Sequence, residues 1–494
     1  MSQTFRWMYT ALCVLVFVSC GPTEQSAKGQ DAGGVDVSTG TATWHGQVRS
    51  IIESNCVSCH SPSGIAPFEL DNYTKAAPLA AAIGAAVHSG RMPPWMPDKD
   101  CQNFMGDRRL SQADKDSIAS WVAAGAPQGD PKQYRAPTQS SKESLERVDL
   151  ELELPISYQP KAGEQGQDDY HCFVLDPKFD KATDLRGLQV IPENKVMAHH
   201  AILWAVDRQE AAQAESAPGQ GWSCYGGPGV SGDMIGGWVP GTSAMVYPKG
   251  TAIALGKDQV FVVQMHYSFA SLLGKPAAPD RSRFQFHFAK EPMKYKLRIT
   301  PHASTTFAVP ASAQAHEVND TLQSWDNLRL WGVIPHMHQF GRSIDVQVGA
   351  GADKRCLVNI PKWDFNWQQL YLFNPDSSVV VDNGEPFRLR CVFDNPTSTT
   401  LTWGEDTTDE MCLNYYIYSF VRVDTLDTCI TKSCQQSRSA CVADGLCKSA
   451  YFCAINCDNE QCSTECGAGL TDGSAQRYSE LLTCAFDTCV GSTP

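Results

Sequence analysis

The chain has no basic run, and its 40 Lys and Arg are outnumbered by 54 Asp and Glu, for a formal charge of −14. Phosphate binding needs a basic face, so nucleic acid is excluded as a partner. Long apolar runs are also missing. Met8 to Val18 is too short to span a bilayer as a stable helix, and no other stretch is long and apolar enough. There is one CxxC, so a zinc site built from paired CxxC motifs lacks its second half. What remains is ordinary for a globular chain, with 42% hydrophobic and 19% charged residues, and 494 residues imply several domains.

Cysteine is abundant, at 20 residues. The first of them belong to an export segment: Arg6 lies in a short polar start, an apolar stretch follows, and Phe17-Val18-Ser19-Cys20-Gly21 closes it. That ending resembles a bacterial lipoprotein cleavage box, with Phe17 where Leu is usual. The resemblance implies cleavage before Cys20, lipidation of its thiol and a membrane partner through that anchor. The expected location is the bacterial cell envelope, at the outer membrane, facing the periplasm or the surface. Gly21 to Ala42 is polar, small and without an aromatic residue, which suits a flexible tether.

Trp44 to about Asp130 reads as a compact helical unit. Its first helix, Gly46 to Ser54, leads into Cys56-Val57-Ser58-Cys59-His60, the pattern of c-type haem attachment. Two thioether bonds need cysteines at this spacing, and the following His60 supplies an axial imidazole. For the sixth ligand, Arg91-Met92-Pro93-Pro94-Trp95-Met96-Pro97 resembles the MPPW segment of small cytochrome c domains and points to Met92. His88, Met96 and Met105 are the alternatives. Ser111 caps a closing helix and Gly125 ends it.

After a polar, Pro-bearing linker the character changes to short β-prone runs. Leu150 to Leu154 alternates, and Val260 to Tyr267, Arg283 to Phe288 and Phe387 to Val392 also read as strands, which together suggest β-sandwiches. Leu330 to Gly341 contains His336 and His338, which share one face of a strand and so can share one ion. Trp403 to Cys412 leads into the β-prone run Leu413 to Val423. A thioether such as Met411 beside two imidazoles is a soft set that suits Cu(I) and matches Zn, Mg or Ca poorly. The pair His199-His200 and the lone His266 would make a second, all-nitrogen site, although adjacent strand residues face opposite ways. His45, His171, His287, His302 and His316 match no motif and are expected to be structural.

The order HH, QxHY, HxH, EMC resembles the copper type II, ascorbate-dependent monooxygenases, the family of peptidylglycine α-hydroxylating and dopamine β-monooxygenases. The resemblance covers roughly Val148 to Asp424, and Gly236-Gly237-Trp238-Val239-Pro240-Gly241-Thr242 is similar to a further family segment. It implies an electron-transfer copper at His199, His200 and His266 and an oxygen-binding copper at His336, His338 and Met411, on two jelly-roll-like domains with a cleft between them. It also implies a Cys391–Cys412 disulfide. Cys172 with Cys224 is the expected pair of the first copper domain, while Cys101 and Cys356 find no partner. A blue-copper centre using Cys412 is the rival for the second site.

The expected organisation is a lipoprotein signal peptide over 1–20, a tether over 21–43, an all-α cytochrome c-like domain over 44–130 and a linker over 131–147. Two all-β copper domains follow, over 148–292 and 293–425. The last segment, 426–494, holds ten cysteines from Cys429 to Cys489, read as short helices stapled by five disulfides. Implied cofactors are two copper ions and one covalently attached haem c. Implied partners are O2, a small substrate and an external donor, either ascorbate or a redox protein. The expected activity is hydroxylation of an aliphatic C–H, with electrons relayed through the attached haem. The peptide-amidating relatives carry an Arg two residues before their HxH pair to hold a carboxylate. Ile334 stands there in this chain, which argues for a neutral substrate. The alternative function is a non-hydroxylating electron-transfer or copper-handling lipoprotein.

Overall fold

The computed structural model describes residues 41–62, 66–137, 145–162, 168–242, 244–269, 272, 276–457 and 460–490. The signal peptide with Cys20, nearly all of the tether and the middle of the 131–147 linker lie outside the described residues.

Helices Arg49–Asn55, Tyr73–Ala76, Ala80–His88 and Gln112–Ala123 gather around Trp44, Val48, Ile52, Ile118 and Trp121. Ser111 accepts from the Asp114 N–H at the start of the last of these, and Gly125 follows its end with φ +79°. The helix expected over Gly46 to Ser54 opens instead as a wider turn, Trp44–Val48, with Thr43 accepting from the Gly46 N–H, and becomes a regular α-helix only at Arg49.

The helical segment is not the self-contained unit expected from sequence. Between its third and fourth helices the chain leaves the helical core and packs on the second sandwich. Phe104 is buried there, 5.4 Å from the ring of Tyr371 and 5.9 Å from that of Phe373. The Met105 N–H donates to Leu372 O at 2.7 Å, and Cys101 is bonded to Cys356. That bridge pairs the two cysteines left unassigned by sequence. A reading that closes each domain on itself cannot find it.

The first sandwich has two sheets. One orders Leu150–Glu153, Arg283–Phe288, Thr183–Ile191 and Thr251–Leu255, and the segment joining the two sandwiches adds Tyr295–Lys296 in parallel at its edge. The other orders Trp222–Ser223, Asp168–Leu175, Gln259–Ser268, Ala198–Asp207 and Gly232–Trp238. Phe173, Leu188, Leu203, Phe261 and Phe286 fill the space between them. The Gly-Gly pair sits on the outermost strand of this second sheet, where a Cβ at Gly237 would lie 2.7 Å from Ala201 O, so a side chain there would push the strand off its neighbour.

The second sandwich packs Arg298–Ser304, Cys412–Phe420, Leu328–His336 and Tyr371–Leu372 against His316–Gln323, Pro386–Phe393, Gly341–Val348 and Arg355–Ile360. The β-prone run expected to reach Val423 ends at Phe420, and helix Arg422–Ser433 starts at once. Val423 and Ile430 on that helix, with Tyr451 and Leu481 further on, join the same buried cluster as Val333, Ile344 and Phe387. The cysteine-rich helices therefore extend the core of the second sandwich. Five disulfides staple them, Cys429–Cys489, Cys434–Cys484, Cys441–Cys447, Cys453–Cys466 and Cys457–Cys462. Cys172–Cys224 and Cys391–Cys412 form as expected.

Candidate metal centres

The difficulty with adjacent histidines on one strand is removed by a bulge. Ala198 pairs with Tyr267 and His200 with His266, so His199 is an extra residue in its strand, and the backbone kink turns it toward the same side. Ligating nitrogens of His199, His200 and His266 lie within 4.8 Å of one another. His200 Nδ1 is 3.4 Å from His266 Nδ1. His266 Nε2 lies 2.8 Å from Asp168 Oδ1, and because a carboxylate only accepts, the proton is on Nε2 and Nδ1 is bare. Tyr170 stacks on the His266 ring at 4.1 Å and 12°. His199 Nδ1 is buried without a hydrogen-bond partner. Burial holds the His199 imidazole down at about 4, and His200 and His266 well below their ordinary value, with neighbouring histidines adding to the effect. Three neutral imidazoles with bare nitrogens converging and one ring atom orphaned fit a bound cation.

The second centre is built where strand Leu328–His336 ends. The rings of His336 and His338 are 5.2 Å apart and perpendicular. His336 Nδ1 is bonded to Gln368 Oε1, and His338 Nδ1 lies 3.1 Å from Asp409 O. The Gln368 amide is oriented because its NH2 donates to Phe365 O at 3.0 Å. Both Nδ1 atoms therefore donate, and both Nε2 atoms are left as ligands. Burial pushes His336 down to about 3 and lowers His338 as well.

Met411, 5% exposed, immediately precedes strand Cys412–Phe420. The fully buried Glu410 carboxylate ties it to the histidines, accepting from the backbone N–H of His338 at 2.9 Å, of Phe340 at 2.6 Å and of Met411 at 3.3 Å. Burial pushes this carboxyl up to about 7 against the pull of those N–H groups. Cys412 is bonded to Cys391, so the rival centre with a thiolate ligand is ruled out. Two imidazoles and a thioether remain, a set that fits Cu(I).

The two centres face each other across Phe365, whose ring stacks on His199 at 4.8 Å and meets His338 edge-on at 6.0 Å. A cavity of about 1920 Å3 is lined by His200, His336, His338 and Met411 and also by Cys56, Cys59, His60 and Met92. Cys56 and Cys59 are thiols rather than a disulfide. His60 Nδ1 is 3.1 Å from Phe68 O, so Nδ1 donates and Nε2 is left as the ligand atom for a metal. Of the alternative sixth ligands, Met96 Sδ accepts from the Asp364 N–H at 3.2 Å and His88 is exposed, while Met105 packs on the first sandwich and lines the same cavity as Met92. Two thiols, an imidazole and a thioether, Met92 or Met105, lining one cavity are the donor types a c-type haem requires.

Residues 293–442 match the family model of the copper type II ascorbate-dependent monooxygenase, C-terminal domain. The match spans the second sandwich, with His336, His338 and Met411, and runs on into the first cysteine-rich helices. It points to copper-dependent monooxygenase chemistry, an oxidoreductase that uses O2, a substrate and a reductant such as ascorbate. No curated protein matches the chain. Similar solved structures include the infectious bursal disease virus VP2 subviral particle, at 10% identity over 55% of this chain and 67% of that one, with a TM-score of 0.15. An allantoicase matches at 10% identity over 56% of this chain and 80% of the other, with a TM-score of 0.14. At such scores neither likeness bears on fold or function.

Asp168, Gln368, Asp409 and Glu410 escape the sequence reading. Glu410 stands inside the EMC motif and so carried a signal; the others hold ring nitrogens from distant segments and carried none. Of the histidines read as structural, His171 bonds to Gln220 O and Tyr158, His287 to Asp149 and His302 to Asp320 and Tyr416.

Proposed function

We infer that this chain is a monooxygenase that hydroxylates an aliphatic C–H bond of a small neutral substrate, R–H + O2 + 2 e− + 2 H+ giving R–OH + H2O. The observation that carries this reading is a pair of buried ligand sets, one all-imidazole and one with a thioether, facing each other across Phe365 in one cavity. Copper held by His199, His200 and His266 and by His336, His338 and Met411 would supply one-electron redox chemistry, and haem c on Cys56, Cys59, His60 and Met92 would supply electrons one at a time.

The protein's own contribution is to orient the ligands. Asp168, Gln368 and Asp409 O fix which nitrogen of each ring faces the ion, and Glu410 fixes the spacing of His338 and Met411. Ile334, Leu370 and Leu413 line the cavity near Met411, and among the described residues of the second sandwich no Lys or Arg lines it. That wall suits a neutral substrate, and the cations of the cavity, Arg91, Arg108 and Arg109, come from the helical segment instead. Glycine-extended peptides are therefore expected to be poor substrates, and efficient amidation would overturn that part of the reading.

Haem residues lining the same cavity as His200 support an internal relay in place of, or alongside, a diffusing reductant. The discriminating experiment is Met411→Ala. A monooxygenase loses product formation while retaining haem and the copper of the three-histidine centre. A non-hydroxylating carrier, the alternative reading, loses little. A reduced haem that is not reoxidised faster when O2 and substrate are added would count against the relay.

A further inference from the structure

The two centres belong to different sandwiches, yet one loop touches both. At its end the loop 403–411 carries Met411, and its Asp409 O holds His338. Its middle reaches the first sandwich. Thr407 Oγ1 donates to Asp168 Oδ2, and the Thr407 N–H lies 3.4 Å from the same oxygen. The other oxygen of that carboxylate takes the His266 Nε2 proton at 2.8 Å. Close by, the Tyr170 hydroxyl donates to Glu405 O at 2.8 Å while its ring stacks on His266. Asp168 is 3% exposed, so its charge is shared between an imidazole from its own domain and a hydroxyl from the other.

We propose that Thr407 is a positioning residue that ties the three-histidine centre to the Met411 loop through Asp168. The proposal rests on the copper reading above and deepens it. A carboxylate accepting from a second donor pulls less strongly on an imidazole proton. With the hydroxyl gone, Asp168 draws more on His266 Nε2–H, Nδ1 becomes a more basic ligand, and the more highly charged state of a bound copper is favoured. The hydroxyl thus raises the reduction potential of the three-histidine centre, and it does so only while the Met411 loop is docked.

The test uses the full chain carrying His336→Ala, which leaves the three-histidine centre to be read alone, loaded with Cu2+. Thr407→Val and Thr407→Ser are added to it. The readouts are the midpoint potential of the copper and its electron paramagnetic resonance spectrum, with circular dichroism as the control for folding. The expected result is a lower potential and an altered hyperfine splitting for Thr407→Val, and parent-like values for Thr407→Ser. If Thr407→Val fails to accumulate, Thr407→Ala removes the same hydroxyl without placing a branched apolar group beside the carboxylate. Copper bound with an unchanged potential and spectrum in the variant lacking the hydroxyl would overturn the role of Thr407 alone. A parent that binds no copper would overturn the metal reading and this proposal together.

Discussion

Glu410 is the residue on which the second centre turns. It is buried, and three backbone N–H groups converge on its carboxylate. Leaving a buried N–H unpaired costs about 1–3 kcal/mol, and water entering the space returns part of it. Glu410→Ala is therefore expected to lower unfolding stability by roughly 2–4 kcal/mol and to release the copper bound by His338 and Met411. Urea unfolding and copper content check this. An unchanged midpoint would mean that the N–H groups find other partners.

At this scale the sequence was legible for which imidazoles come together, because the HxH spacing and the adjacent pair are visible in the chain. It was not legible for Asp168, Gln368 and Asp409. Each acts by occupying a ring's second nitrogen, and the distance between Asp168 and His266 is set by strand pairing that spacing does not encode.

Among the elements, the strand carrying His199 and His200 shows how one bulge changes chemistry. Without it the two side chains would face opposite sides of the sheet, and two of the three imidazoles at most would meet. The strands themselves were read closely. Arg283–Phe288 occupies the expected residues, and Val260 to Tyr267 extends by one residue at each end. The run to Val423 was misread because β-branched residues suit a strand, whereas burial against the cysteine-rich helices draws Val423 into a helix.

The other element that sequence could not place is the segment from Asp98 to Arg109, held by Cys101–Cys356, by Phe104 and by the Arg108 guanidinium donating to Gly241 O at 2.8 Å. Replacing Cys101 and Cys356 by Ser is expected to cost about 2–4 kcal/mol and to speed tryptic cleavage at Lys99, Arg108 or Arg109. Cleavage no faster than in the parent chain would show that Phe104 and the hydrogen bonds hold the loop without the bridge.

For the whole molecule, four parts that read as successive domains interlock through shared cores or a shared cavity. The helical segment lines the space that both metal centres face, and the cysteine-rich helices finish the second sandwich. They also brace the connection between the sandwiches: Asn456 Nδ2 donates to Lys294 O at 3.0 Å, Lys294 Nζ pairs with Asp427 at 2.9 Å, and Lys448 pairs with Glu291. A chain ending at Asp424 therefore exposes the apolar surface that Ile430, Tyr451 and Leu481 cover. It is expected to aggregate rather than accumulate as a folded monomer, as size-exclusion chromatography would show. Composition and motif order foretold the β-sandwiches and the disulfide-rich helices, but not that the parts interlock, since long-range packing leaves no local pattern.

Two coppers at chemically distinct centres are what the proposed function requires of this chain. The most direct measurement is copper and haem content of protein made in a periplasmic host with cytochrome c maturation, for the parent chain and for Met411→Ala and His266→Ala. Two coppers per haem are expected in the parent, and the loss of one in each variant, from different centres. Haem without copper after copper loading, or a single copper unaffected by either substitution, would contradict that expectation.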